Sequence, residues 1–153
     1  MIIKNGKTYL SYHEYYKSRG WTNPKPKNTE NRILSLPDNV KPIPGFPTYY
    51  ASPEGDIYRK HISNRGRYPS KNPKIIKLKH QIQPTGYCVV QPFQDGKKRI
   101  QYVHRLVLST FKGTKPKGWE CDHIDCNPQN NNIENLRWLT KEDNLKRIFD
   151  KTI

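Results

Sequence analysis

Apolar side chains recur at helical spacing over one short stretch in the second half of the chain. Five residues follow one another at intervals of three and one: Val103, Leu106, Val107, Thr110 and Phe111. This spacing places them on one face of a helix, because residues three and four apart lie on the same side. The pattern predicts a helix that begins near His104 and ends before Gly113, where a glycine favours termination.

Two strand-like runs lie just before this helix. The runs Tyr87 to Phe93 and Lys98 to Val103 are joined across Asp95 and Gly96, a pair that favours the positive φ angles of a tight hairpin turn. Such a ribbon suits a DNA groove, and it equally suits a plain scaffold.

The C-terminal part predicts two strands followed by a helix. We expect the first strand at Trp119 to Ile124 and the second at Asn135 to Leu139, separated by a connection rich in asparagine. Asparagine side chains bond readily to nearby backbone and so support a long connection. Thr140 with Asp143 three residues later forms a capping box, which starts a final helix that extends to about Phe149.

The pattern of the first 35 residues predicts short strands and one short helix. Short strands are expected at Ile2 to Ile3 and Thr8 to Leu10, and a helix from Tyr12 to Arg19. A basic, proline-broken linker covers Thr22 to Asn28 and could lie along a phosphate backbone.

Composition and charge indicate a nucleic-acid partner. Only 33% of the residues are hydrophobic and mean hydropathy is −1.01, so we expect small cores joined by polar segments rather than one large core. The formal net charge is +15. The segment from Glu120 to Ile153 contains seven acidic and five basic residues. The C-terminal end is therefore slightly acidic, whereas the rest of the chain is strongly basic. This asymmetry suits a body that holds a polyanion and an end that holds a divalent cation, although a merely soluble surface is the alternative.

The most basic stretch runs from Arg59 to Lys79 and contains no acid. Its cationic residues are Arg59, Lys60, Arg65, Arg67, Lys71, Lys74, Lys77 and Lys79. A solvated loop is one interpretation. We favour contact with DNA, because eight cations without a counter-charge repel one another unless phosphates lie between them.

The cysteines and the N-terminus bear on location. Cys88, Cys121 and Cys126 are an odd number without a CxxC pair, which supports neither a disulfide framework nor a four-cysteine zinc site. The residues from Met1 to Asn5 lack the apolar run of a signal peptide, and no segment reaches membrane-spanning length. We expect a cytoplasmic protein, in the host cell if a phage encodes it.

Five short motifs in the last third occur in a fixed order. They are Val103-His104-Arg105-Leu106-Val107 with Phe111, Asp122-His123-Ile124-Asp125, Asn130-Asn131, Glu134-Asn135-Leu136-Arg137-Trp138 and Glu142-Asp143-Asn144. Together they resemble the HNH endonuclease module, the ββα-metal nuclease family, in the variety found in intron-encoded and phage homing endonucleases. The resemblance implies an α+β fold: a small, extended, multi-part protein with a C-terminal ββα-metal module behind β-hairpin DNA-binding elements.

The resemblance also implies roles for three residues, and their chemistry agrees with those roles. Asp122 and Asn144 offer hard oxygen ligands that suit one Mg²⁺ or Mn²⁺ ion per active site. His123 would be the general base that takes a proton from the attacking water, since its ordinary pKa lies near neutrality. We therefore predict catalytic roles for Asp122, His123 and Asn144.

Other residues of the motifs are expected to support the site. Asn135 resembles the residue that fixes the loop before the second strand, and Asn131 is a further support candidate. His104 matches a recurrent histidine of the family, and we favour a packing role over a ligand role. Arg105 is a candidate DNA contact. Cys126 replaces the glycine that usually follows His-Ile-Asp, so the turn there is expected to be strained or altered.

One feature of the strand conflicts with a shared site. Neighbours in a regular strand point to opposite faces, so Asp122 and His123 could not both reach one phosphate from ideal geometry. We therefore expect a twist or bulge near Ile124 or at the strand end.

The body also resembles a family motif. Residues 41–58, with Ile43-Pro44-Gly45-Phe46 and Ser52-Pro53-Glu54-Gly55, resemble the small NUMOD4-like motif that commonly precedes HNH modules in homing endonucleases. The resulting division is 1–35 as an N-terminal extension, 36–103 as a basic β-rich DNA-binding region and 104–153 as the nuclease module.

The leading hypothesis is a monomeric, metal-dependent endonuclease that nicks double-stranded DNA, without an obligate protein partner or a membrane. As in the family, its products would carry 5′-phosphate and 3′-hydroxyl ends. The alternative is a catalytically inactive DNA-binding protein that retains an HNH-like fold. An RNA-binding factor ranks last, because the sequence has no RRM or KH motif.

Overall fold

A computed structural model of the chain describes residues 2–4, 7–9, 32–33, 35–61 and 73–150. The expected helix from Tyr12 to Arg19 and the linker from Thr22 to Asn28 lie outside the described residues. So do three residues of the basic stretch, Arg65, Arg67 and Lys71.

The described elements are mainly short strands. In chain order they are β1 Ile2–Lys4, β2 Lys7–Tyr9, β3 Arg32–Ile33, β4 Lys41–Ile43, β5 Phe46–Ala51, β6 Ile57–His61, β7 Lys74–Lys77, β8 Gln81–Ile82, β9 Cys88–Val90, β10 Phe93–Gln94, β11 Lys97–Lys98, β12 Gln101–Tyr102, α1 Val103–Lys112, β13 Trp119–His123, a 3₁₀ turn Ile133–Asn135, β14 Leu136–Thr140 and α2 Lys141–Asp150. The chain is thus strand-rich with two described α-helices.

Two compact units divide the chain, Met1–Glu30 and Asn31–Ile153. In the first unit β1 pairs with β2 in antiparallel register, Ile2 opposite Tyr9. The two expected strands around Asn5 and Gly6 therefore form and pair with each other.

A five-stranded antiparallel sheet forms the body of the second unit, in the order β3-β7-β6-β5-β4. Tyr49, Ala51 and Ile57 alternate along β5 and β6 and are buried, so one face of the sheet is apolar. Ser52 to Asp56 form the turn between these strands, with the Ser52 amide donating to the Asp56 carbonyl at 2.9 Å.

The expected Asp-Gly hairpin is confirmed. Its outer part pairs β10 with β11 and its inner part pairs β9 with β12. Asp95 and Gly96 have φ angles of +50° and +75°, as the tight turn requires. The structure adds β8 on the other edge of β9, which the sequence analysis did not predict.

The expected helix near His104 is also confirmed. Helix α1 covers Val103–Lys112, and Gly113 with φ +85° follows it. Val103, Leu106 and Val107 lie on its buried face, as their spacing predicts.

One hydrophobic cluster joins the sheet to this helix. It contains Ile43, Tyr49, Ala51 and Ile57 of the sheet together with Cys88, Val90, Val103, Leu106, Val107, Leu108 and Leu136. The expectation of several small separate cores was therefore wrong for residues 43–136. Each element supplies only a few apolar residues. Because α1 packs against β4, β5 and β9, these residues form one continuous cluster.

The C-terminal part has the expected strand-strand-helix order. Strands β13 and β14 pair from Trp119 opposite Thr140 to His123 opposite Leu136, and α2 follows at once. The Thr140 hydroxyl accepts from the Asp143 amide at 3.1 Å and donates to the Asp143 carboxylate at 2.8 Å, which confirms Thr140 as the N-cap and its contact with Asp143. In the described part of the chain, neither helix is both long and apolar enough to cross a bilayer.

Candidate active site

Asp122 lies near the end of β13 with only 7% of its surface exposed. Its carboxylate forms ion pairs with two arginines. Arg137, directly opposite on β14, donates from Nε to Oδ2 at 2.8 Å, and Arg147 of α2 pairs with Oδ1. These contacts fix the carboxylate, because a buried charge needs partners.

His123 is the last residue of β13 and is equally buried. Its ring lies 5.0 Å from the ring of His104 and 5.9 Å from that of Tyr87, centroid to centroid. Burial lowers the pKa of His123, and the Asn131 side chain and Asp125 oppose that shift only in part. The imidazole is therefore held in its neutral form near pH 7.

Asn131 holds the other side of the His123 ring. Its Oδ1 lies 3.4 Å from His123 Nε2, and its Nδ2 donates to the Gln129 carbonyl at 3.2 Å. Asn131 is 4% exposed and packs against the turn between β5 and β6, where the Ile133 amide donates to the Pro53 carbonyl at 2.8 Å. The sheet thus contacts the residue that contacts His123.

Asn135 ties together the long connection between β13 and β14. Its Nδ2 donates to Asp125 Oδ1 and to the Asn130 carbonyl, both at 2.9 Å, and its Oδ1 accepts from the Asp125 amide at 3.0 Å. Asn135 is only half-buried. Its side-chain hydrogen bonds, rather than strand pairing, hold the loop together. This geometry supports the structural role expected for Asn135.

A turn follows His123, where the regular pairing of β13 with β14 ends. Pairing is regular from Trp119 through His123, so no bulge interrupts the paired residues, and the chain then turns, with the Cys126 amide donating to the His123 carbonyl at 2.9 Å. Cys126 has φ +62°, a left-handed conformation that favours glycine. The expectation that cysteine here strains the turn agrees with this angle.

Asn144 lies in the first turn of α2, half-buried. Its Nδ2 donates to Glu120 Oε2 at 2.8 Å. Its Oδ1 accepts no hydrogen bond from the described residues and is the atom left for a ligand.

Asp122, His123 and Asn144 line the same cavity of about 340 Å³, together with Tyr87 and Arg147. Asp122 and Asn144 therefore lie on the same side of the module. Among the described residues no three His, Cys, Asp or Glu side chains are grouped to hold a metal ion. A metal site here would need the amide oxygen of Asn144 as a ligand beside the Asp122 carboxylate.

Hard oxygen atoms of this kind fit Mg²⁺ or Mn²⁺. Each carboxylate oxygen of Asp122 accepts from one arginine and keeps a second lone pair. The carbonyl-type oxygen of Asn144 adds a neutral donor. The donor set at the cavity is thus suited to an ion that keeps most of its positions for water and phosphate.

His104 is 4% exposed at the start of α1, and its Nδ1 is buried without a hydrogen-bond partner among the described residues. Burial lowers its pKa to about 3, and the charges of His123 and Arg105 act in the same direction. It packs against the rings of Tyr87, Tyr102 and His123. This placement agrees with the packing role favoured for His104.

The basic residues of the body differ in what they contact. Arg59 lies over the Tyr49 ring at 5.7 Å, and Lys77 pairs with Asp56 at 2.7 Å. Lys60, Lys74 and Lys79 are exposed, and none of them has an ion pair in the described part of the chain. The structure thus leaves these three available for an external anion.

Sequence reasoning missed the two arginines of Asp122, the Glu120 partner of Asn144, and Tyr87. Arg147 was accessible in principle, because it lies three residues after Asn144 and so shares its helix face. Arg137 and Tyr87 carried no such indication, since strand register and long-range packing bring them to the cavity.

Two antiparallel strands and a following helix bring an Asp-His pair and an asparagine to one cavity in a ββα arrangement. The HNH endonuclease family profile matches residues 101–146. The chain carries an HNH endonuclease domain, and its relatives include a homing endonuclease.

Two similar proteins come from bacteriophages. The chain is 38% identical to DNA endonuclease I-HmuI of Bacillus phage SP01 over 59% of its length, and 32% identical to H-N-H endonuclease F-TflII of Escherichia phage T5 over 69%. The alignments cover 51% and 50% of those two proteins, so the chain spans about half the length of the curated relatives it matches.

A solved structure is also similar. It is described as DNA binding and cleavage by the HNH homing endonuclease I-HmuI, and it superimposes with a TM-score of 0.60 at 33% identity. The match covers 74% of this chain and 59% of that one. The similarity therefore extends beyond the HNH domain into the strand-rich body.

Proposed function

We propose that this protein is a metal-dependent HNH endonuclease of the homing type that hydrolyses phosphodiester bonds in double-stranded DNA. We further propose that it acts as a monomer and nicks one strand in each binding event, since one copy of the chain carries one candidate site. The observation that carries the proposal is the single cavity lined by Asp122, His123 and Asn144.

His123 would act as the general base. When Nε2 carries the ring proton it can donate to Asn131 Oδ1, and the lone pair on Nδ1 is then available to take a proton from water. Burial lowers the pKa of His123 and so keeps this lone pair unprotonated near neutral pH. Asn131 would hold the ring in the orientation that this transfer needs.

Asp122 and Asn144 would hold one Mg²⁺ or Mn²⁺ ion. When bound, the ion would neutralise charge on the phosphoryl group and on the leaving oxygen. Arg137 and Arg147 pair with the two carboxylate oxygens of Asp122 and would hold them in a fixed orientation. Glu120 fixes the Asn144 amide so that its oxygen faces away from the bond that the nitrogen makes.

The charge of the chain supports duplex DNA as the substrate. The net charge is +15, and Lys60, Lys74, Lys79 and Arg105 are exposed cations. The similar structure is of an enzyme described as binding and cleaving DNA. We propose that the basic residues from Arg59 to Lys79 and Arg105 contribute DNA contacts. We also propose that the protein works in the cytoplasm of a phage-infected cell, because two of its relatives are phage proteins.

A second candidate function is DNA binding without cleavage. Both carboxylate oxygens of Asp122 already accept from arginines, which favours a site in which guanidinium groups replace the cation. In that case the chain would bind duplex DNA and leave it intact.

Plasmid nicking distinguishes the two functions. Supercoiled DNA incubated with the protein and Mg²⁺ should become open circular, and EDTA should prevent this. His123→Ala should lower the rate by roughly 10²-fold or more, the contribution typical of a general base, with DNA affinity nearly unchanged. Retarded but unbroken plasmid would favour the binding protein, and equal loss of cleavage and affinity in His123→Ala would mean that His123 serves folding.

A further inference from the structure

A second cavity of about 340 Å³ adjoins the candidate active site. The two cavities share four lining residues, Thr85, Tyr87, Cys121 and Asn144. Asn144, the proposed ion ligand, therefore lies in the wall between them. A group bound in the second cavity would be a close neighbour of the group that reacts.

The second cavity carries positive charge that the protein does not neutralise. Arg105 of α1 and Lys115 both line it, and neither forms an ion pair in the described part of the chain. The acid in the lining, Glu120, accepts from the Asn144 amide. Two unpaired cations beside one engaged carboxylate favour an anionic ligand.

Arg105 is held ready for such a ligand. Its guanidinium lies 4.9 Å from the centre of the Tyr102 ring, a cation-π contact that limits its movement without using its N–H donors. The same contact covers a face of Tyr102, so this ring is poorly placed to stack on a base. A guanidinium with free donors suits phosphate, which it can bind through two N–H groups.

We propose that this cavity binds the backbone phosphate next to the one that is cut, with Arg105 and Lys115 as its ligands. The inference rests on the proposed nuclease function. Consecutive phosphates of one strand are near neighbours, and two cavities with a common wall match that arrangement. Arg105 and Lys115 would thereby set which phosphodiester bond lies over His123 and Asn144.

The test uses a DNA duplex in which the nick has first been mapped with the unmodified protein. Each phosphate near the nick is replaced in turn by a neutral methylphosphonate, and single-turnover rates are measured for the unmodified protein, Arg105→Gln and Lys115→Gln. One flanking substitution should slow the unmodified protein by roughly tenfold or more, the effect of a lost charged hydrogen bond. The same substitution should slow Arg105→Gln by much less, because the two changes remove one interaction.

Lys98→Gln is the matched control, since Lys98 is an exposed cation on β11 outside both cavities. It should keep the dependence of the unmodified protein on that one phosphate. Arg105→Lys retains the positive charge, so its rate should depend on that phosphate more than the rate of Arg105→Gln does.

Two results would overturn the inference and leave the nuclease proposal intact: rate losses that add at every phosphate, or a uniform loss of affinity in Arg105→Gln with no preferred position. Failure of the unmodified protein to nick any duplex would instead remove the proposed function, and this inference with it.

Discussion

A Cβ atom on Gly55 would lie 2.8 Å from the backbone carbonyl oxygen of Asn131. Gly55 belongs to the turn between β5 and β6, and Asn131 contacts the ring of His123. The turn of the sheet thus packs directly against Asn131, the residue that contacts the His123 ring. A glycine is needed at this point both for the close approach and for its φ of +99°.

Gly55→Ala should destabilise the protein and reduce nicking. The alanine would meet backbone atoms that can move only with the loop, and we expect a loss of about 2 to 4 kcal/mol in the free energy of unfolding. Gly45→Ala is the matched control, because Gly45 has φ +79° and nothing within 4 Å of its added Cβ. It should lose only about 1 kcal/mol, from backbone strain alone. Equal losses in urea unfolding would show that the contact with Asn131 is unimportant.

Asn131→Ala should lower kcat for nicking by roughly tenfold or more while KM stays close to that of the unmodified protein. The reason is that His123 would lose the partner that holds its ring, whereas the DNA-contacting cations would remain. Asn127 is the control in the same loop, because its side-chain oxygen accepts from the Gln129 backbone amide and not from His123. Asn127→Ala should keep nearly full activity. A shared loss in both variants would assign Asn131 to loop folding alone.

Asn135→Ala should cost about 2 to 3 kcal/mol of stability. Three hydrogen bonds of its side chain would be lost, and the loop between β13 and β14 depends on them. Asn39→Ala is the comparison, since that exposed amide makes one bond, to Glu54, and should change stability by about 0.5 kcal/mol or less. Thermal or urea unfolding of the two variants measures the difference, and similar values would contradict the structural role.

His104 should make the protein lose stability in acid. Burial lowers the pKa of His104 from an ordinary value of 6.5 to about 3. Below about pH 6.5 the unfolded chain therefore takes up a proton at His104 while the folded protein does not. The contribution is complete above pH 6.5 and falls as the pH drops toward 3, by at most about 1.4 kcal/mol per pH unit.

The comparison is between the unmodified protein and His104→Phe in urea at several pH values. His104→Phe should be less sensitive to pH between 6.5 and 4. Val103→Ala, a destabilised neighbour without a titrating group, should keep the original pH dependence. If His104→Phe keeps it too, His104 is protonated in the folded protein.

Local patterns in the sequence predicted individual elements well. The spacing of Val103, Leu106 and Val107 gave helix α1, Asp95-Gly96 gave the hairpin, and Thr140 with Asp143 gave the start of α2. Each of these depends on interactions within a few residues, which are visible in the order of the chain. The strand boundaries of β13 and β14 differed from expectation by only one residue.

Contacts between distant residues were not predictable in this way. The pairing of Asp122 with Arg137 depends on strand register, and the contact of Asn131 with Gly55 joins segments 76 residues apart. Neither residue type nor spacing marks such pairs, because strand register and long-range packing bring the partners together.

The sequence by itself determined the local elements, the chemical groups of the candidate site and the basic character of the body. Only the tertiary structure decided that Asp122, His123 and Asn144 line one cavity, that two arginines pair with the Asp122 carboxylate, and that the sheet contacts the loop that carries Asn131. The physical reason is that helix caps and turns are stabilised by neighbours in the chain. A shared cavity instead depends on how a hydrophobic core, pooled from many short elements, brings those elements together.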